Sequence, residues 1–178
     1  IQDLLLEHYY LPISMTTRGG VKDKLCINRL IDHRVDALIA AIADATISFE
    51  TISSITGLGF PTVIFDCPAN CDFAFDRAMN DDFNGGYLAG RHLLELGHRN
   101  LACGTFYSKR TRGSLRVDGF LNALSEAGVA IKPEFIFSKI FQDDPADNDK
   151  LFDATLESML SSPDRPSAIF VSTDFMAR

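Results

Sequence analysis

The sequence predicts an α/β fold with parallel sheets, and three observations carry that expectation. Six short β-type runs, at residues 11–15, 35–41, 62–65, 101–105, 135–141 and 168–171, are nearly continuously apolar instead of alternating. Such runs suit parallel strands covered on both faces. Amphipathic stretches at helical spacing lie between several of them, the pattern of sheets joined by right-handed crossovers. No internal repeat and no Pro/Gly/Ser-rich linker interrupts the alternation.

Each element has its own signals. The amino end sets Asp3 and Glu7 beside Leu4, Leu5 and Leu6, with no basic region before an apolar stretch. That is not the pattern of a signal peptide. The longest apolar run, residues 37–43 between Asp36 and Asp44, has a buried strand's length. It falls far below the roughly 20 residues of a membrane span. From Phe65 to Asp82 no helical spacing is visible, and a long irregular stretch of this kind marks function or a connection between domains. We place a domain crossover there, near residues 78–82. Asp81 or Asp82 can cap a helix running to Leu96, with Gly97 as its stop. Val117, Phe120, Leu121 and Leu124 fall at i, i+3, i+4 and i+7 ahead of Gly128, a fitting C′ residue. Phe152, Leu156, Met159 and Leu160 define a further helix, stopped by Ser161-Ser162-Pro163.

Composition excludes several classes. The 178 residues carry 17 Lys+Arg against 24 Asp+Glu, a net charge of −7, which argues against nucleic-acid binding by this segment. Cys26, Cys67, Cys71 and Cys103 do not form a disulfide framework in a chain of this size, so we expect a reducing cytoplasm. Cys67 and Cys71 stand four apart with no second pair to complete a zinc site. His8, His33, His92 and His98 are scattered without metal-ligand spacing, and we expect neither metal nor cofactor. Gly57-Leu58-Gly59 begins like a dinucleotide fingerprint but leads into Phe60-Pro61-Thr62 and another strand. No P-loop, nucleophile elbow or zinc-protease motif is present. An enzyme is not the expectation.

One stretch carries a signature. Asp81-Asp82-Phe83-Asn84-Gly85-Gly86, followed by Ala89 and then His92-Leu93-Leu94-Glu95-Leu96-Gly97-His98-Arg99, resembles the lactose-repressor/galactose-repressor family of bacterial transcription regulators. Four further matches arrive in that family's order. They are Val35-Asp36-Ala37-Leu38-Ile39, Pro61-Thr62-Val63-Ile64-Phe65-Asp66, and Ser114-Leu115-Arg116-Val117-Asp118-Gly119-Phe120. The last is Arg165-Pro166-Ser167-Ala168-Ile169-Phe170 with Ser172-Thr173-Asp174-Phe175-Met176-Ala177. The chain departs from the signature at Asp82, where the family usually has Asn, and at Ala40-Ala41, which offer no polar side chain at a strand end.

The resemblance implies the fold of periplasmic sugar-binding proteins. Two doubly wound subdomains, residues 1–80 and 81–178 here, would clasp a small ligand in the cleft between them. Ligands of such sheets sit at the carboxyl ends of strands. Asp66 ends one strand and can accept hydrogen bonds from sugar hydroxyls, or serve as a turn aspartate before Pro68. Arg116 matches the family's ligand-binding arginine, and its fork can hold two ligand oxygens. Phe141 can stack on the apolar face of a sugar or purine, or pack in the core as one of 14 phenylalanines. Asp174, with Thr173, can bind ligand hydroxyls or cap the helix that begins there.

The implied function is the effector-sensing part of a transcription regulator. It would bind a sugar or nucleobase-like metabolite and modulate DNA binding by an amino-terminal helix-turn-helix headpiece outside this sequence. Palindromic operators imply a homodimer; no membrane is implied. The alternative is an exported sugar-binding protein of a transporter, with an enzyme using the same cleft as a third class. Both subdomains read as incomplete. The resemblance implies that the first strand of one and later strands of both lie outside the chain. In a sheet of order 2-1-3-4-5 this would leave residues 11–15 without a neighbour, so the segment alone is not expected to close as a clasp.

Overall fold

A computed structural model describes residues 1–16, 21–41, 53, 57, 59–65, 76–107, 113–140 and 145–177. The chain divides into two compact units, Ile1–Met79 and Asn80–Arg178.

The first unit contains helices α1 (Gln2–Glu7) and α2 (Val21–Asp32) and strands β1 (Leu38–Ala41), β2 (Thr62–Phe65) and β3 (Asp76–Ala78). The strands form a parallel sheet in the order β1-β2-β3. The Leu38 amide donates to the Pro61 carbonyl at 2.9 Å, which sets β1 beside the start of β2. Ile64, Leu38, Thr62 and Ile27 are buried. Ile39 and its register partner Val63 are 45% and 37% exposed, so the other face of this pair is open.

Two sequence expectations need correction here. Residues 11–15 form no strand: Leu11 is 83% exposed and Ile13 50%, and no described strand pairs with them. An apolar run becomes a strand only when a neighbour accepts its ladder of hydrogen bonds. Conversely, Asp76–Ala78 pairs with β2 inside the stretch that shows no regular pattern. All three of its residues are exposed, so this edge strand carries no apolar signature.

The second unit contains α3 (Asp82–Glu95), β4 (Leu101–Tyr107), α4 (Gly113–Glu126), β5 (Ile136–Ile140), α5 (Pro145–Ser161) and β6 (Ala168–Val171). Its sheet is parallel in the order β5-β4-β6. The pleat of β4 divides the core in two. Leu101 and Cys103 pack with Leu94 of α3 and with Val117, Phe120 and Leu124 of α4. Ala102 faces the other way, toward Phe135, Phe137, Met176 and the α5 residues Phe152 and Met159. Helices on both faces explain why these strands read as continuously apolar. Phe120 is fully buried and stacks on Phe170 with ring centroids 4.6 Å apart; such burial contributes about 1.5–3 kcal/mol.

Helix termini follow the sequence signals. Asp81 is the N-cap of α3, its Oδ1 accepting from the Asn84 amide at 2.9 Å. Gly97 (φ +90°) and Gly128 (φ +67°) take the left-handed conformation just beyond α3 and α4.

Candidate functional site

Strand order locates the site. β4, the first strand of the second unit, lies in the middle, with β5 on one side and β6 on the other. The order therefore reverses at β4, and the crevice outside the carboxyl ends of β4 and β6 is where doubly wound sheets take ligands. Ser172 continues β6 beyond that edge, its amide donating to the Gly104 carbonyl at 3.0 Å.

Arg116, in the first turn of α4, is held at this edge by two partners. Its Nε donates to Asp82 Oδ1 at 2.9 Å, and its Nη2 lies 2.8 Å from the same oxygen. Its Nη1 donates to the Ser172 carbonyl at 2.7 Å. The Arg116 side chain keeps 31% exposure while that of Asp82 has 4%. The guanidinium is thus fixed in direction, on a side chain that keeps about a third of its surface exposed. Thr173 Oγ1, one residue beyond, is buried without a hydrogen-bond partner among the described residues.

Helix packing sets this geometry. A Cβ on Gly86 would overlap the Arg116 carbonyl, and one on Gly119 would overlap the Phe83 carbonyl. α3 and α4 therefore touch backbone to backbone, which carries the first turn of α3, with Asp82, beside Arg116. The positive end of the α3 dipole favours a carboxylate at this position.

The structure brings Arg116 to Ser172, the residue before Thr173 and Asp174; Asp174 opens a short 3₁₀ turn, Asp174–Ala177, and is exposed. Asp66 and Phe141 lie outside the described residues. Sequence reasoning missed two groups. Asp82 shows in the sequence as a candidate cap and as a departure from the signature, not as a partner of Arg116, and the Ser172 carbonyl, a backbone group, has no sequence signal.

A cavity of about 520 Å³ lies elsewhere in this unit, lined by Lys132, Glu134, Ser158, Met159 and Asp164 among others. Its residues precede β5 and β6, at the amino ends of the strands, the wrong edge for a ligand of this fold. An exposed Lys132–Asp164 ion pair lies on its wall. Among the described residues no cluster of His, Cys, Asp or Glu could hold a metal, and no helix is long and apolar enough to cross a membrane.

Two α/β units, each with a parallel sheet, and a strand order that reverses in the second fit the periplasmic-binding-protein type of fold. Residues 16–177 match the family described as periplasmic binding proteins and sugar binding domain of LacI family, and the chain belongs to it. It is 30% identical over 169 residues to the HTH-type transcriptional repressor PurR of Glaesserella parasuis, covering 95% of this chain and 47% of that protein. With the PurR of Mannheimia succiniciproducens it shares 32% identity over 171 residues, covering 95% and 48%. The chain thus spans about half the length of these relatives. Among solved structures, a LacI family regulator from Enterococcus faecium with bound ribose superposes with TM-score 0.70 at 24% identity, covering 99% of this chain and 61% of that one. The regulator CelR in complex with cellobiose gives 0.73 at 21%, covering 97% and 50%. At these identities the two structures establish the fold.

Proposed function

We propose that this chain is the effector-sensing part of a LacI-family transcription repressor, with Arg116 as its principal ligand contact. The carrying observation is the oriented guanidinium, on a partly exposed side chain, at the carboxyl edge of β4 and β6. Thr173 and Asp174 follow on the same edge and supply further polar groups. Asp66 and Phe141 remain proposed contacts from their strand-end positions. The ligand is a small metabolite, and the structural neighbours with bound ribose and cellobiose favour a sugar. Repressors among the curated relatives favour a regulator over a transporter's binding protein or an enzyme. In the intact protein the effector would modulate operator binding by a headpiece, in a cytoplasmic homodimer. Residues 1–80 and 81–178 would belong to its two effector-binding subdomains.

A ligand that binds only the native state stabilises it by about 2.7 kcal/mol at a hundredfold excess over Kd. A melt screen of the intact protein against a metabolite library identifies the ligand by this shift. Arg116→Ala should then abolish the shift, with its urea midpoint measured in parallel to separate binding from stability. An unchanged shift at saturating ligand removes Arg116 from the site.

A further inference from the structure

We propose that Asp82 makes this site selective for uncharged, hydroxyl-bearing ligands by acting as a buried counter-ion to Arg116; the proposal rests on the reading of Arg116 as a ligand contact. A guanidinium offers five N–H groups. Nε and Nη2 are directed at Asp82 Oδ1 and Nη1 at the Ser172 carbonyl. One N–H on each of Nη1 and Nη2 is left for a ligand. Two such donors suit a pair of neighbouring hydroxyl oxygens or a ring oxygen with its neighbour.

Charge decides the class of ligand. An unpaired arginine on a partly desolvated edge would draw phosphate or carboxylate. Here the positive charge is already matched by a carboxylate whose side chain is 4% exposed, so the pair sums to zero. An anionic ligand on the guanidinium would lose most of the attraction and face the Asp82 charge, and like charges so placed are strongly disfavoured. Close backbone approach at Gly86 and Gly119 fixes the start of α3 against α4, and the carboxylate it carries is held by the Arg116 Nε and Nη2 contacts in a buried position. Nor does the helix dipole offer a vacant anion site. Asp81 already accepts from the Asn84 amide in the first turn, with Asp82 beside it.

The test is a set of matched pairs on the intact protein: pentoses, hexoses and disaccharides, each beside its own phosphate ester, with inorganic phosphate as a free anion. Melting shifts find the pairs that bind, and calorimetric titration gives their Kd ratio. The neutral member should bind more tightly than its ester by about tenfold or more. Asp82→Asn, which keeps the size and one acceptor oxygen, should narrow that ratio by about tenfold and create a phosphate-dependent melting shift absent from the wild type. An ester that binds the wild type as tightly as its sugar overturns the proposal, as does a phosphate shift of equal size in both proteins. If neither member of any pair shifts the wild-type melt while the metabolite library still yields an Arg116-dependent shift, the ligand is not a sugar and this proposal falls. If the library yields no such shift either, the reading of Arg116 as a ligand contact falls with it. The wild-type ratio needs no variant, so a poorly folding Asp82→Asn protein leaves the test intact.

Discussion

The two sheets begin from the same kind of sequence and end in different surroundings. β2 and β4 are both apolar and both central in three-stranded parallel sheets. β4 is covered twice, by α3 and α4 on one face and α5 on the other. Beside β2, the register pair Ile39 and Val63 stays 45% and 37% exposed. An apolar run therefore reports a strand's capacity to be covered on both faces, and the neighbours decide whether that capacity is used. In the second unit it is used, and the tight helix packing that results also holds Arg116 in place.

Truncating one large side chain in each unit should separate the two environments most clearly. Phe120→Ala removes a fully buried ring stacked on Phe170 and should cost about 3–5 kcal/mol. Ile39→Ala removes a side chain that is 45% exposed and should cost less than about 1 kcal/mol. Urea unfolding resolved by hydrogen exchange in each unit checks both. Equal losses would mean that the open face of the first sheet is covered in solution.

A smaller effect tests the link between packing and site. Gly86→Ala places a methyl group against the Arg116 carbonyl, whereas Gly85 has nothing within 4 Å of an added Cβ. We expect Gly86→Ala to cost about 2–3 kcal/mol, the upper range for overpacking. Gly85→Ala should stabilise by up to about 1 kcal/mol through helix propensity. Thermal melts compare the pair. If both are neutral, α3 and α4 lie farther apart than described and the geometry around Arg116 is looser.

Much of the second unit is legible in the sequence because its signals are local. Asp81 and Gly97 bracket α3, Gly128 follows α4, and Ser161-Ser162-Pro163 ends α5. The first unit is harder to read. β3 is short and wholly exposed, so no apolar spacing marks it. In α2, Ile27 is buried but Leu25 and Ile31 are 50% and 36% exposed, which blurs its stripe. At the site, Arg116 is visible through its motif. Its partners are not, because Asp82 is 34 positions away and Ser172 contributes a main-chain oxygen. Non-local pairing and backbone acceptors leave no pattern in a one-dimensional string.

The last contrast concerns the two described cysteines, Cys26 half-buried in the first unit and Cys103 fully buried in the second. Burial among apolar side chains raises the Cys103 thiol from its ordinary 9.0 to about 11, since the thiolate cannot be solvated there. The folded state therefore holds this proton more tightly than the unfolded chain. Stability from this group is fully present below pH 9, falls as pH rises from 9 to 11, and levels off above. The loss amounts to about 2–3 kcal/mol. Urea midpoints of wild type and Cys103→Ala across this range measure it as a difference of slopes, because the variant lacks the group while the other titrations are shared. Alkylation at pH 8 followed by peptide mapping provides the kinetic counterpart: Cys26 should react in the native protein, and Cys103 only on unfolding. Native labelling of Cys103 at the rate of Cys26 would show that the double cover of β4 opens readily, and the contrast between the two sheets would then be one of structure without a matching difference in stability.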